Sequence, residues 1–175
     1  RLSIENKAGK APSNYSLQVA AKGGASTCED VVSGYSNVPT VTGGCGSAVA
    51  CINTSTYLAN QNNTINQLNT SSVFVKGKIV EDSSNQTNEI ILNQNKSTEV
   101  EYNFYFTNNA ADSTTYCFRA AKKGVALNNY TKVATITTSG APPPVAQFGT
   151  NPADNVNRSN TSVTFDLRAY DDTAL

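Results

Sequence analysis

The sequence lacks histidine, methionine and tryptophan altogether. Without histidine there is no Cys₂His₂ zinc site and no imidazole base, so any acid–base chemistry would fall to carboxylates. The four cysteines include no Cys-x₂-Cys pair, which argues against a Cys₄ zinc site and a thioredoxin-type redox motif. Charge is sparse: charged residues make up 15% of the chain, and 13 basic residues balance 13 acidic ones. A nucleic-acid partner would need a basic stripe, and none is present. No apolar run approaches the roughly 20 residues that span a bilayer. Gly-rich phosphate loops, the G-x-S-x-G elbow, kinase signatures, and EF-hand or repeat-toxin calcium loops are missing too. There is no signal peptide, and a chain opening on Arg1 reads as a processed product or as part of something longer.

What the chain has instead is polar filler: 22 Asn, 17 Ser and 20 Thr. Nine asparagines sit in Asn-x-Ser/Thr sequons: Asn14, Asn53, Asn62, Asn69, Asn85, Asn95, Asn129, Asn157 and Asn160. Ser and Thr occupy about a fifth of the 175 positions, so chance would place about four or five sequons among 22 asparagines. The excess points to an exterior protein carrying covalent N-glycans, with Asn62, Asn69, Asn85 and Asn129 in turns as the favoured acceptors. An even cysteine count without metal spacing points the same way, to two disulfides formed in an oxidising compartment.

Periodicity predicts an all-β chain. "RLSIEN" alternates Leu2 and Ile4 with polar neighbours, "KAGKAPS" reads as a turn, and "NYSLQVA" alternates Tyr15, Leu17 and Val19. Residues 21–72 show little periodicity, and "TYLANQNNTINQL" within them could form a short helix. Strands resume with "SVFVKGKIV" and "EIIL". "TEVEYNFYF" sets Val100, Tyr102, Phe104 and Phe106 on a core face, against Glu99, Glu101, Asn103 and Tyr105 on a solvated one. "TTYCFRA" and "YTKVATITT" close a series of about seven strands, the pattern of an antiparallel β-sandwich.

"TTYCFRA", a Gly turn and "YTKVATITT" resemble the last two strands of a fibronectin type III domain, with Tyr116 at the corner-tyrosine position. Together with "SNYSLQVAAKGGASTC", "VFVKGKIVEDSSNQT" and "STEVEYNFYF", they resemble a sandwich module of large prokaryotic cell-surface proteins. The resemblance covers about residues 1–138. Unlike that module, this chain has no Trp, and the part of 21–72 that holds Cys45 and Cys51 looks inserted.

Successive strand residues face opposite ways. Tyr116, Phe118 and Ala120 are the apolar set and face the core, so Cys117 and Arg119 face outward. Cys117 must then bond to a segment lying on the outer face. Four cysteines allow three pairings. Cys28, following the second strand, is the natural partner of Cys117 and the one the resemblance implies, leaving Cys45 and Cys51 to close "CGSAVAC".

A proline-rich linker is expected over 140–147, where Pro142, Pro143 and Pro144 favour a stiff polyproline spacer. Beyond it, 148–175 resembles the start of a second immunoglobulin-like module, or supplies an exchanged strand. Its apolar face, Val163, Phe165, Leu167 and Ala169, is too small to bury a core alone, so it is expected to contact a neighbouring subunit. The paired carboxylates read as solvated or turn residues: Glu29–Asp30, Glu81–Asp82, Glu99–Glu101 and Asp171–Asp172. The sequence therefore implies no catalytic residue, metal or cofactor. It reads as a structural module of an extracellular filament, surface layer or stalk that self-associates. The competing reading is an adhesin or carbohydrate-binding sandwich using 21–72 as its loop, with Tyr35 and Tyr57 as the available aromatics.

Overall fold

The computed structural model describes residues 1–68 and 72–139. Asn69, Asn157, Asn160, the 140–147 linker, Asp171–Asp172 and the 148–175 face of Val163, Phe165, Leu167 and Ala169 lie outside the described residues. Within the described chain the fold is all-β and sandwich-like, built from short strands without a helix.

The N-terminal part contributes β1 (Leu2–Asn6), β2 (Ala11–Ser13), β3 (Tyr15–Ala21), β4 (Ser36–Asn37) and β5 (Ala50–Ile52). The middle contributes β6 (Val73–Val75), β7 (Ile79–Val80), β8 (Ile90–Leu92), β9 (Lys96–Tyr102) and β10 (Phe104–Phe106). The last described part forms β11 (Thr115–Lys122), β12 (Val125–Ala126) and β13 (Ala134–Thr137). One sheet is centred on β9, with β1 antiparallel on one side and β6 and β7 parallel to it. The other is centred on the antiparallel pair β3 and β11, flanked by β4 on the first and by β12 and β13 on the second. Two ribbons, β5 with β10 and β2 with β8, complete the architecture.

Alternation explains the core. Ile4, Leu17, Val19, Val100, Tyr102, Tyr116, Phe118 and Ala120 come from both sheets into one buried cluster. Phe118 is 1% exposed, and burying such a ring contributes about 2–3 kcal/mol. Phe104 stacks on it at 4.7 Å, and Phe106 packs against both Tyr116 and Phe118.

Several local expectations are corrected. "TYLANQNNTINQL" forms no helix; its asparagines and glutamines are instead tied across to the 78–88 region, as where Ile79 N–H donates to Asn62 O and Asn60 Oδ1 accepts from Glu81 N–H. The turn stretch "KAGKAPS" ends in a strand, β2, because Ala11–Ser13 finds a partner far along the chain in β8, with Ser13 opposite Ile90 and Ala11 opposite Leu92. "SVFVKGKIV" breaks at Gly77. There the chain passes so close to β9 that an added Cβ would lie 1.8 Å from the Glu99 carbonyl oxygen, so only glycine fits. Two of the pairings with β9 run parallel, which strand patterning does not reveal. The 21–72 segment is not an appendage: its Val38, Ala50 and Ile52 sit fully buried in the core.

Candidate functional site

The outer face of β3 and β11 carries the most elaborate side-chain arrangement. Across this pair Cys117 stands opposite Ala20 and Arg119 opposite Gln18. The chain after β3 folds back over that face, and Cys28 bonds Cys117 with a Cα separation of 5.4 Å. Cys45 bonds Cys51, closing the short loop. Cys117 does point away from the main core, but its surroundings are dry: it is fully buried in a second cluster with Cys28 and Val133, packed by Val31, Tyr35 and Tyr130. The Arg119 guanidinium lies 3.6 Å from the centre of the Tyr35 ring and 5.2 Å from that of Tyr130, and donates to Gln18 Oε1 at 3.0 Å. The Tyr130 hydroxyl donates to Ala120 O and accepts from Leu127 N–H, pinning the chain between β12 and β13. Gln18 and Tyr35 are distant from Arg119 in sequence, so of the Arg119 contacts only its outward parity was legible beforehand.

The carboxylates have a common occupation. Glu99 is fully buried, contrary to its expected solvated place. Its Oε1 accepts the backbone N–H groups of Gln67 at 2.7 Å and Leu68 at 2.6 Å, and its Oε2 meets Arg1 at 3.3 Å. Glu101 shares the same Arg1 guanidinium. Glu81 is also buried and accepts from Ser55 N–H at 2.7 Å. Asp82 accepts from both the N–H and the hydroxyl of Thr42. Glu29 accepts from Val133 N–H. Glu99, Glu81, Asp82 and Glu29 each fasten a loop amide, while Glu101 pairs with the Arg1 side chain.

These bonds set a pH profile. The Val133 N–H holds the Glu29 carboxyl below its ordinary value, the Lys7 hydrogen bond does the same for Glu5, and the Thr42 N–H does so for Asp82. A lowered folded-state pKa means that the unfolded chain binds more protons in the acid window. The stability these bonds provide is present above the unfolded carboxylate range and is lost as pH falls through the lowered values. Burial pushes the tyrosines up, Tyr102 most strongly and Tyr15, Tyr35 and Tyr130 less. Their contribution is present below the ordinary phenol value and is lost as pH rises through the raised ones. With no histidine and no free cysteine, no side chain has an ordinary pKa between about 6 and 8. Urea midpoints should therefore be flat from about pH 6 to 8 and fall on both sides; a sloping midpoint within that range would contradict the assignment.

The sequons scatter over the surface. Asn53, Asn62, Asn95 and Asn129 are exposed, while Asn14 and Asn85 are half-buried. Asn14 and Asn85 are brought together, with Ser16, Asn37, Gln86 and Lys123, around an open cleft of about 340 Å³. The cleft has no aromatic wall, and Tyr35 is occupied by Arg119 on the outer face. Tyr57 stands alone at 91% exposure. Among the described residues no group of three or more Asp, Glu or Cys side chains is placed to hold a metal ion. Among the described residues no helix is long and apolar enough to cross a membrane. Comparison with protein-family models, curated proteins and solved structures finds no match.

Proposed function

We propose that this chain is a non-catalytic structural module of an extracellular filament, surface layer or stalk, N-glycosylated and assembled by contacts between copies. The observation that carries the reading is the Cys28–Cys117 disulfide, which staples the chain after β3 across the outer face of the sandwich over 89 residues of sequence. Such bonds form and persist chiefly where the surroundings are oxidising, and this one restrains a thin-cored, loop-rich domain.

Two further features support the reading. The Tyr116 hydroxyl, near the start of β11, accepts from Ala111 N–H at 2.8 Å, five residues upstream. That is the arrangement of the tyrosine corner in immunoglobulin-like sandwiches, and it favours the fibronectin type III-like reading of 1–139. Among the described residues β1 pairs only with β9, leaving its second edge able to accept a strand. In the proposal, Val163, Phe165, Leu167 and Ala169 of one copy cover such an edge of the next, a head-to-tail contact that propagates. Negative-stain electron microscopy of the native material tests this. Filaments or a lattice are expected; monodisperse particles at all concentrations would overturn the assembly reading.

A further inference from the structure

A sequon is read at two places: the asparagine amide, which accepts the sugar, and the hydroxyl two residues on. A folded domain can be modified only where it presents both. The described sequons differ sharply in this respect.

At Asn62 the amide is exposed, but Thr64 is 2% exposed. Its hydroxyl donates to Glu99 O at 2.7 Å and accepts from Gly77 N–H at 3.0 Å. At Asn85 the partner is Thr87, 1% exposed, whose hydroxyl accepts from Tyr15 N–H at 3.0 Å. At Asn95 the partner is Ser97, fully buried within β9. Asn14 is closed at both places: its Nδ2 donates to Thr87 O at 2.8 Å, and Ser16 is 3% exposed in β3. At Asn53 the Ser55 hydroxyl is half-buried and accepts from Leu58 N–H at 2.9 Å. Asn129 is the exception. It and Thr131 are both exposed, in the strand-free stretch between β12 and β13.

We propose that, among the described sequons, Asn129 is the acceptor that the folded domain presents to an oligosaccharyltransferase, and that Asn62, Asn85 and Asn95 can be modified only before the chain folds. In the transfer, the asparagine nitrogen bonds the anomeric carbon of a lipid-pyrophosphate-linked oligosaccharide. The bond from that carbon to the phosphate oxygen breaks, its electron pair leaves with the lipid pyrophosphate, and the amide gives one proton to base. After folding, Asn62 and Asn95 leave room for a glycan at the surface. At Asn14 a glycan would displace the bond to Thr87 O, so that site is expected to stay bare. The glycan pattern thus records whether the chain met the transferase unfolded or folded.

The inference rests on the glycoprotein reading above, and the experiment separates the two. Unmodified protein with both disulfides intact, and the same protein reduced and unfolded in urea that is then diluted, are each offered to a purified oligosaccharyltransferase with lipid-linked donor. Glycopeptides are then quantified site by site. Transfer to Asn129 should proceed at rates within about threefold in the two states. Transfer to Asn62, Asn85 and Asn95 should be at least about 100-fold slower in the folded protein, because buried strand and core groups open in well under about 1% of molecules. Equal rates at Asn62 or Asn85 in both states would overturn the proposal, as would an Asn129 that accepts only when unfolded. Thr131→Ala should abolish transfer to Asn129 in both states. Native-source protein bare at all nine sequons would overturn the glycoprotein reading instead, whatever the order of rates in vitro.

Discussion

Replacing Cys28 and Cys117 together by alanine should lower the unfolding free energy by about 4–5 kcal/mol, a fall in Tm on the order of 10–15 °C. The bond joins residues 89 apart, so in the chain-entropy account its loss frees a large denatured loop. The Cys45–Cys51 bond spans only 6 residues, and the same reasoning gives about 2 kcal/mol for the corresponding double alanine. The ratio between the two is the informative quantity. The long bridge also seats a buried cluster: without it, Val31, Tyr35 and the Arg119 guanidinium lose the covalent reason to stay on the outer face of β11. Thermal melts of the two double variants measure this directly. A loss for the Cys28/Cys117 pair no larger than that for the Cys45/Cys51 pair would mean that the segment after β3 docks without the bond.

Glu99→Ala should cost about 3–4 kcal/mol. The carboxylate is fully buried and satisfies two backbone N–H groups, and it partners an arginine whose side chain is itself only 11% exposed. Removing it leaves the part-buried Gln67 and Leu68 N–H donors without this acceptor and takes one carboxylate from the Arg1 guanidinium, and an orphaned donor costs about 1–3 kcal/mol. Glu99→Gln should cost less, since an amide oxygen at the Oε1 position can still accept both N–H groups and only the charged contact with Arg1 is lost. Hydrogen exchange identifies the mechanism. The Gln67 and Leu68 amides should be protected in the unmodified protein and exchange much faster in Glu99→Ala. Unchanged protection at both, with stability retained, would show that the 60–68 segment is held by other contacts.

Glu99 also illustrates what a sequence conceals. A glutamate on a strand, next to a valine that faces the core, ordinarily faces water, and nothing near position 99 says otherwise. Its partners lie 31 and 32 residues earlier, in a stretch without periodicity. The same applies to Val38, Ala50 and Ile52, in a Gly-, Ser-, Thr- and Asn-rich segment of little periodicity, which nevertheless fill the core. By contrast, the alternation within "TTYCFRA" was legible, because the two-residue period of a strand is a local property. It placed Tyr116 and Phe118 inward and Cys117 and Arg119 outward, as they stand. What alternation could not convey was that the outer face is covered, so that outward does not mean exposed. The strand breaks at Gly77 and Asn103 were hidden for the same reason as Glu99: each is set by an approach of distant chain, Gly77 to the Glu99 carbonyl and Asn103 to Asn53.

The central claim is that two specific disulfides staple this sandwich-like chain, and non-reducing peptide mapping of protein from its native source tests it most directly. The account predicts no free thiol, one peptide pair joined through Cys28 and Cys117, and one loop closed by Cys45 and Cys51. Free thiols at Cys28 and Cys117, or a Cys28–Cys45 bridge with Cys117 left reduced, would contradict it.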